Sequence, residues 1–229
     1  PITWHRISHY QKLTLKLIAT EMLRNGPRYG SDEEELILIL PGEITVSELV
    51  LPKPLVLWCS AANQGSAGIA QELLAAMASG CAALQVVDSQ PDMQALQADG
   101  VSACMLLYLN RDTWVEHGDA LEKDVRASRA AGLKVLLVHE NDDSKGGCDF
   151  GLFFATTPSG LIDDGLYSDI AIALHTPPHR AVSLTLVAQA MGAIKATPDL
   201  GEATVSMRRS ARTAMLQQAR KVIPGYAAR

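Results

Sequence analysis

One stretch, LKVLLVHEN at residues 133–141, constrains the fold more than any other. It is a continuous apolar run that ends abruptly in His139, Glu140, Asn141, Asp142 and Asp143. The segment ahead of it, ALEKDVRASRAAG, reads as a helix from about 119 to 131, closed by Gly132 as its C-terminal cap. A helix leading into a buried apolar strand is the grammar of a parallel sheet, whose strands are covered on both faces. In open α/β sheets ligands sit at the carboxyl ends of the strands. The polar end of this stretch therefore marks the rim on which chemistry is to be sought.

The same grammar recurs along the chain. PLVLWCSAAN, CAALQVVDSQ, VSACMLLYLN and YSDIAIALH read as four further strands. GSAGIAQELLAAMAS, PDMQALQADG with Pro91 in its first turn, and HRAVSLTLVAQAMGAIK read as helices. CDFGLFFATTPSGLIDDGL reads as irregular, with one short helix. Strands alternating with helices predict a flavodoxin-like α/β fold, a five-stranded parallel sheet in the order 2-1-3-4-5 with helices on both faces. This domain spans residues 55–195. Residues 1–54 form an N-terminal extension. Its helix has Ser8 as N-cap, Tyr10, Leu13, Leu17 and Leu23 at helical spacing, and a stop at Asn25-Gly26-Pro27. An acidic loop, RYGSDEEE, then leads to ELILILPGE and ITVSELVLP, a pair of short strands or a strand and a loop. Residues 196–229 form a basic helical tail carrying Arg208, Arg209, Arg212, Arg220 and Lys221.

Composition narrows the function classes. With 48% hydrophobic residues the 229-residue chain has ample material for a core, which excludes extensive disorder. A net charge of −5, with basic residues clustered only in the tail, gives nucleic-acid binding no electrostatic footing. No apolar run approaches the roughly 20 residues that span a bilayer, and no signal peptide is visible, so a cytoplasmic protein is expected. Cys59, Cys81, Cys104 and Cys148 have neither metal-ligand spacing nor the density of a disulfide scaffold, as expected for thiols in a reducing compartment. The chain opens on Pro1 rather than Met, as a fragment or processed piece of a larger polypeptide would.

Known motifs are mostly missing. The first strand runs into SAANQGSAGIA, which is neither G-x-G-x-x-G nor a P-loop, although its helix N-terminus could present backbone N–H groups to an anion. A phospho-relay receiver needs an acidic pair after the first strand and a Lys after the fifth; here stand residues 60–63 and 175–179, which supply neither. What the topology does predict is convergence. Ser60, Asp88, Asn110, His139 and Glu140 come to one rim, and Glu122, early in the helix after the third strand, should face it. There Glu122 either stabilises its helix through the dipole or serves as a carboxylate for a developing oxocarbenium ion or a ribose hydroxyl. His139, Glu140, Asp142 and Asp143 could hold a cation, but a strand end and polar turn explain them as well; no metal site is expected. Cys148 with His139 is a further nucleophile pairing, with nothing in the sequence to bring the two into contact.

These residues together resemble the Toll/interleukin-1 receptor (TIR) domain family, over residues 55–193. LVLWCSAAN is similar to that family's first box, MLLYLNRDTW followed by LEKDV to its central box, and PPHRAVSLTLVAQAM to its last box and final helix. The resemblance implies a flavodoxin-like domain that signals by self-association or by pairing with other TIR-like domains. It also implies, as an alternative, hydrolysis of NAD at the nicotinamide–ribose bond. In that case Glu122 is the catalytic carboxylate, Ser60, Asn110 and Trp114 shape the pocket, and NAD is a substrate rather than a cofactor. This chain departs from the family in having Val115 after Trp114, a longer spacing to Glu122, and Glu116 as a rival carboxylate. Three functions thus stand side by side: a signalling or scaffolding module, an NAD hydrolase, and a structural subunit of a larger assembly.

Overall fold

The computed structural model describes residues 4–26, 38–77 and 83–196. The chain divides into one unit from Pro1 to Lys195 and a second from Ala196 to Arg229. The basic tail, the acidic loop and Cys81 lie outside the described residues.

Seven helices and seven strands are described. In chain order they are α1 (Ser8–Arg24), β1 (Leu49–Val50), β2 (Leu55–Trp58), α2 (Ser66–Met77), β3 (Leu84–Val87), α3 (Met93–Ala98) and β4 (Ser102–Leu109). There follow α4 (Gly118–Ala130), β5 (Lys134–Glu140), α5 (Gly151–Thr156), α6 (Ser159–Asp163), β6 (Ile172–Leu174), α7 (Arg180–Ala190) and β7 (Ile194–Lys195). The main sheet is parallel throughout and runs β3-β2-β4-β5-β6. Counted within that sheet, the order is 2-1-3-4-5, the flavodoxin-like winding. The stretch at 133–141 is β5, paired over six residues with β4, from Cys104↔Lys134 to Leu109↔His139.

Strand periodicity divides the core. Along β4, Cys104, Leu106 and Tyr108 point to one face, where α2 and α7 cover them with Ile69, Leu73, Leu184 and Val187. Met105, Leu107 and Leu109 point to the other, against Leu121 and Val125 of α4, Phe153 of α5 and Leu161 of α6. Both faces of the central strands are sealed, which is why β4 and β5 read as unbroken apolar runs rather than alternating ones.

Several local expectations need correction. Ile7, not Ser8, occupies the N-cap of α1, with no side-chain cap bond. The fully buried positions of α1 are Tyr10 and Thr14, while Leu17 is exposed, because the helix docks through hydrogen bonds rather than an apolar stripe. Pro91 precedes α3; Asp92 caps it, its carboxylate accepting from the backbone N–H of Gln94 and Ala95. Residues 151–163 hold two short helices, parted at Pro158, with Thr157 driven into extended backbone before the proline. The last helix ends at Ala190, and Gly192, at φ +95°, turns the chain so that Ile194 and Lys195 pair antiparallel with β1. Among the described residues no helix is long and apolar enough to cross a membrane.

Candidate functional site: the crevice at the switch point

The strand order reverses between β2 and β4. The loops leaving their carboxyl ends therefore diverge and leave a crevice, the usual ligand position in this topology. Two side chains build it. Asn63, almost fully buried, donates to Tyr108 O at 2.9 Å and accepts from Tyr108 N at 2.8 Å, standing in for a strand neighbour just beyond the end of β2. Asn110 Oδ1 accepts from Asp112 N, and Thr113 Oγ1 accepts from Asn110 N at 2.7 Å, which tightens the turn after β4. Gly65, at φ +86°, lets the start of α2 lie against the Tyr108 ring; a Cβ there would stand 2.7 Å from Cε1 of the ring.

The result is a groove of about 400 Å³ with Tyr108 and Asn110 as its floor, Gln64 and Gly68 on one wall, and the Glu72–Lys145 pair at its end. It offers an aromatic face, two carboxamides and one charge of each sign, a lining suited to a small polar ligand. Gln64 Nε2 also donates to Glu116 Oε2 at 2.7 Å, bridging the two loops across the crevice.

Behind the groove lies a buried ionic knot. Arg180, on the first turn of α7, donates through Nε and Nη2 to the two oxygens of Glu72, and through Nη1 to both oxygens of Glu140. Glu140 is wholly buried and also accepts from the Tyr108 hydroxyl at 3.0 Å and from Asp142 N at 2.9 Å. Burial opposes the Arg180 charge, but its bonds to Glu72 and Glu140 outweigh that and raise its pKa. Those same bonds hold Glu72 below the usual carboxylate range against the opposing effect of burial. Burial, reinforced by the Glu140 charge, pushes the Tyr108 phenol up, so it serves as a donor and not as a base.

The residues singled out in the sequence are dispersed around this crevice. Asn110 lines the groove. Ser60 is buried beside it and donates to Asp124 Oδ2 at 2.5 Å while accepting from Ala62 N. Glu122 is held elsewhere: its Oε1 accepts from Nε and Nη2 of Arg126, which in turn reaches Asp164 at 2.9 Å. Two residues along a helix are rotated by roughly 200°, so α4 cannot turn both Glu122 and Asp124 toward Ser60. Trp114 is a core side chain, 6% exposed, whose indole N–H donates to the Tyr167 hydroxyl at 3.2 Å. Asp88 is exposed and contributes its backbone carbonyl to the Trp58 indole.

His139 packs edge-on against Phe150 and Phe153, its Nε2 2.9 Å from the carbonyl oxygen of Cys148, and burial lowers its pKa. The Cys148 thiol is itself pushed up by burial, which disfavours the thiolate. Asp142 caps a short 3₁₀ turn through Ser144. Among the described residues no group of three or more His, Cys, Asp or Glu side chains is arranged to hold a metal ion. Sequence reasoning missed Asn63, Glu72 and Arg180. Asn63 sits in a segment that reads as a turn, and the other two lie on helices, where charge passes for a solvated face.

A second hollow of about 400 Å³ lies between α1, the 43–47 segment and α7, lined mainly by apolar groups such as Leu13, Ile44, Val46 and Val182. It shares no lining residue with the switch-point groove. Compared with known proteins, the chain matches no protein-family model, no curated sequence and no solved structure.

Proposed function

We propose that the chain is a TIR-like signalling or scaffolding module that acts by self-association, or by pairing with similar domains, in the cytoplasm. The observation that carries this reading is the surface of the segment joining β5 to β6. Phe154 is 56% exposed and Ile170 95% exposed, and Leu152, two residues before Phe154, is also exposed. Phe154 is not loose: its ring packs on Phe150 and Tyr167 at centroid separations of 5.8 and 5.7 Å. Exposed apolar groups on a rigid aromatic base suit a contact surface. Cys59, Cys104 and Cys148 are free thiols, in keeping with a reducing compartment. Sedimentation velocity across a concentration series tests the proposal; a strict monomer at every concentration, alone and with candidate domains, overturns it.

A second reading, NAD hydrolysis, draws support from the switch-point groove, whose Tyr108 face and carboxamides suit a polar ring and its substituents. Incubation with NAD at high protein concentration tests it through release of nicotinamide. Loss of that release in Glu122→Ala would assign the carboxylate to Glu122 despite its pairing with Arg126.

A further inference from the structure

Three imidazoles meet where the N-terminal segment lies against the crossover from β6 to α7. The His5 ring stands 4.4 Å from that of His175 and 4.6 Å from that of His179, centroid to centroid. Tyr10, on the first turn of α1, closes the group at 5.0 Å from His5 and 4.9 Å from His175. The bonds that dock α1 here pass through the same residues. The Tyr10 hydroxyl donates to Ala173 O and shares a 3.0 Å hydrogen bond with Ser183 Oγ. Thr14 Oγ1 stands 3.2 Å from His179 Nε2.

Among the described residues, the groups acting on the cluster supply no counter-charge. The groups acting electrostatically on His175 are His5, His179 and His139 of β5; on His179 it is His5. The neighbours from α1 are Tyr10 and Thr14, and from α7 Ser183, all neutral. Arg180, which follows His179, is turned into Glu72 and Glu140 and keeps those carboxylates occupied. Burial and the neighbouring imidazoles disfavour a charge on His175 and on His179. Each proton taken from solvent adds a like charge roughly 4–5 Å from the next, which is repulsive even at an intermediate dielectric.

We propose that His5, His175 and His179 form an acid-operated latch, in which protonation of His175 and His179 drives the N-terminal segment off the crossover and releases α1 from α7. Release would uncover the apolar hollow whose walls include Leu13 of α1 and Val182 of α7. Burial first, and then the neighbouring imidazoles, push His175 down to about 4, while burial and His5 lower His179, so the latch is closed at neutral pH. The latch is independent of self-association through the Phe154 surface and of any activity in the groove.

Hydrogen exchange of the full chain between about pH 7.5 and about pH 4.5, corrected for the intrinsic pH dependence of exchange, tests it. The expected result is at least about a tenfold loss of protection in α1 on acidification, while β4 and β5 stay protected. Replacing His5 and His175 together by Phe keeps the ring packing, removes the His175 imidazole and leaves His179 with no imidazole beside it, and should move the opening down by about one pH unit or more. The latch is overturned if α1 keeps its protection, if it opens only together with β4 and β5, or if the double variant opens at the wild-type pH. Should that variant not fold at neutral pH, the ring proton resonances of the wild-type histidines decide. Titration of His175 or His179 over the range in which α1 opens supports the latch, and opening without it overturns it.

Discussion

Arg180 spends its whole guanidinium on two carboxylates, and one of them, Glu140, is sealed from solvent. The pair links the first turn of α7 to the end of β5. Breaking one side of a buried pair leaves an uncompensated charge, at a cost of about 3–5 kcal/mol, whereas replacing both can be nearly neutral. Arg180→Met should therefore lower unfolding free energy by about that amount, and the double variant Arg180→Met, Glu140→Leu should recover part of it. Urea denaturation of the four proteins in the cycle measures this. A single-variant loss below about 1 kcal/mol would show that water reaches Glu140.

Gly65 makes a sharper steric prediction. Its φ of +86° strains any other residue, and an added Cβ would meet the Tyr108 ring at 2.7 Å. Strain and overpacking together put Gly65→Ala at about 2–4 kcal/mol of destabilisation. Gly118, at the start of α4 with nothing within 4 Å of its absent Cβ, is the control. There alanine should stabilise by about 0.4–1 kcal/mol. Thermal melts of the two variants should move in opposite directions.

Acid should weaken the fold in two stages. His175 has its folded pKa lowered from 6.5 to about 4, so between those values the unfolded chain binds more protons and stability falls as pH falls. Glu72 has a folded pKa below its unfolded 4.5, held there by Arg180 against burial; its contribution is present above 4.5 and is lost as pH falls through the lowered value. The melting temperature should therefore decline first across the histidine range and again in the carboxylate range. Glu72→Gln should flatten the second decline and leave the first; a variant that flattens neither removes Glu72 from the account.

How much of this could be read beforehand depends on the distance over which each feature is encoded. The β5 run, the glycine stop at Gly132, which at φ +71° follows the actual C-cap Ala131, and the alternation of elements are local patterns, and they led to the sheet order. The rim was also legible, because strand ends are set by topology, and Ser60, Asn110 and Glu140 do lie at strand ends. What pairs with what was not. Ser60 chooses Asp124 over Glu122 because of helix phase, and Glu140 finds an arginine 40 positions away. Asn63 acts as a strand mimic, a role no local pattern announces. Pro158 split a segment expected to be irregular, and the short pairing of β1 with β7 rests on contacts far apart in sequence.

The difference between Glu122 and Asp124 can be measured. Glu122 makes a surface pair with Arg126, so Glu122→Ala should change stability by less than about 1 kcal/mol. Asp124 accepts a short hydrogen bond from the buried Ser60 hydroxyl. Asp124→Ala should cost more, about 1–3 kcal/mol, and loosen the loop after β2. Chemical denaturation supplies the ranking, and exchange of the amides at residues 60–63 supplies the loosening. Equal costs for the two variants would mean that Ser60 finds another partner.

The contact surface around Phe154 makes the last prediction. Its side chain is more than half exposed, so Phe154→Ser removes apolar area from the surface without opening the core, and stability should change by no more than about 1 kcal/mol. Ile170, 95% exposed just before β6, should behave alike when replaced by Asp. If these two side chains form the centre of a self-association surface, each substitution should weaken association by about 2 kcal/mol, roughly thirtyfold in the dissociation constant. Sedimentation equilibrium gives that constant, and far-ultraviolet circular dichroism confirms that the fold persists. Exposed apolar controls on the opposite side of the sequence, such as Met22→Ser on α1, should leave it unchanged. Association that survives both substitutions at full strength would move the contact away from the β5–β6 segment.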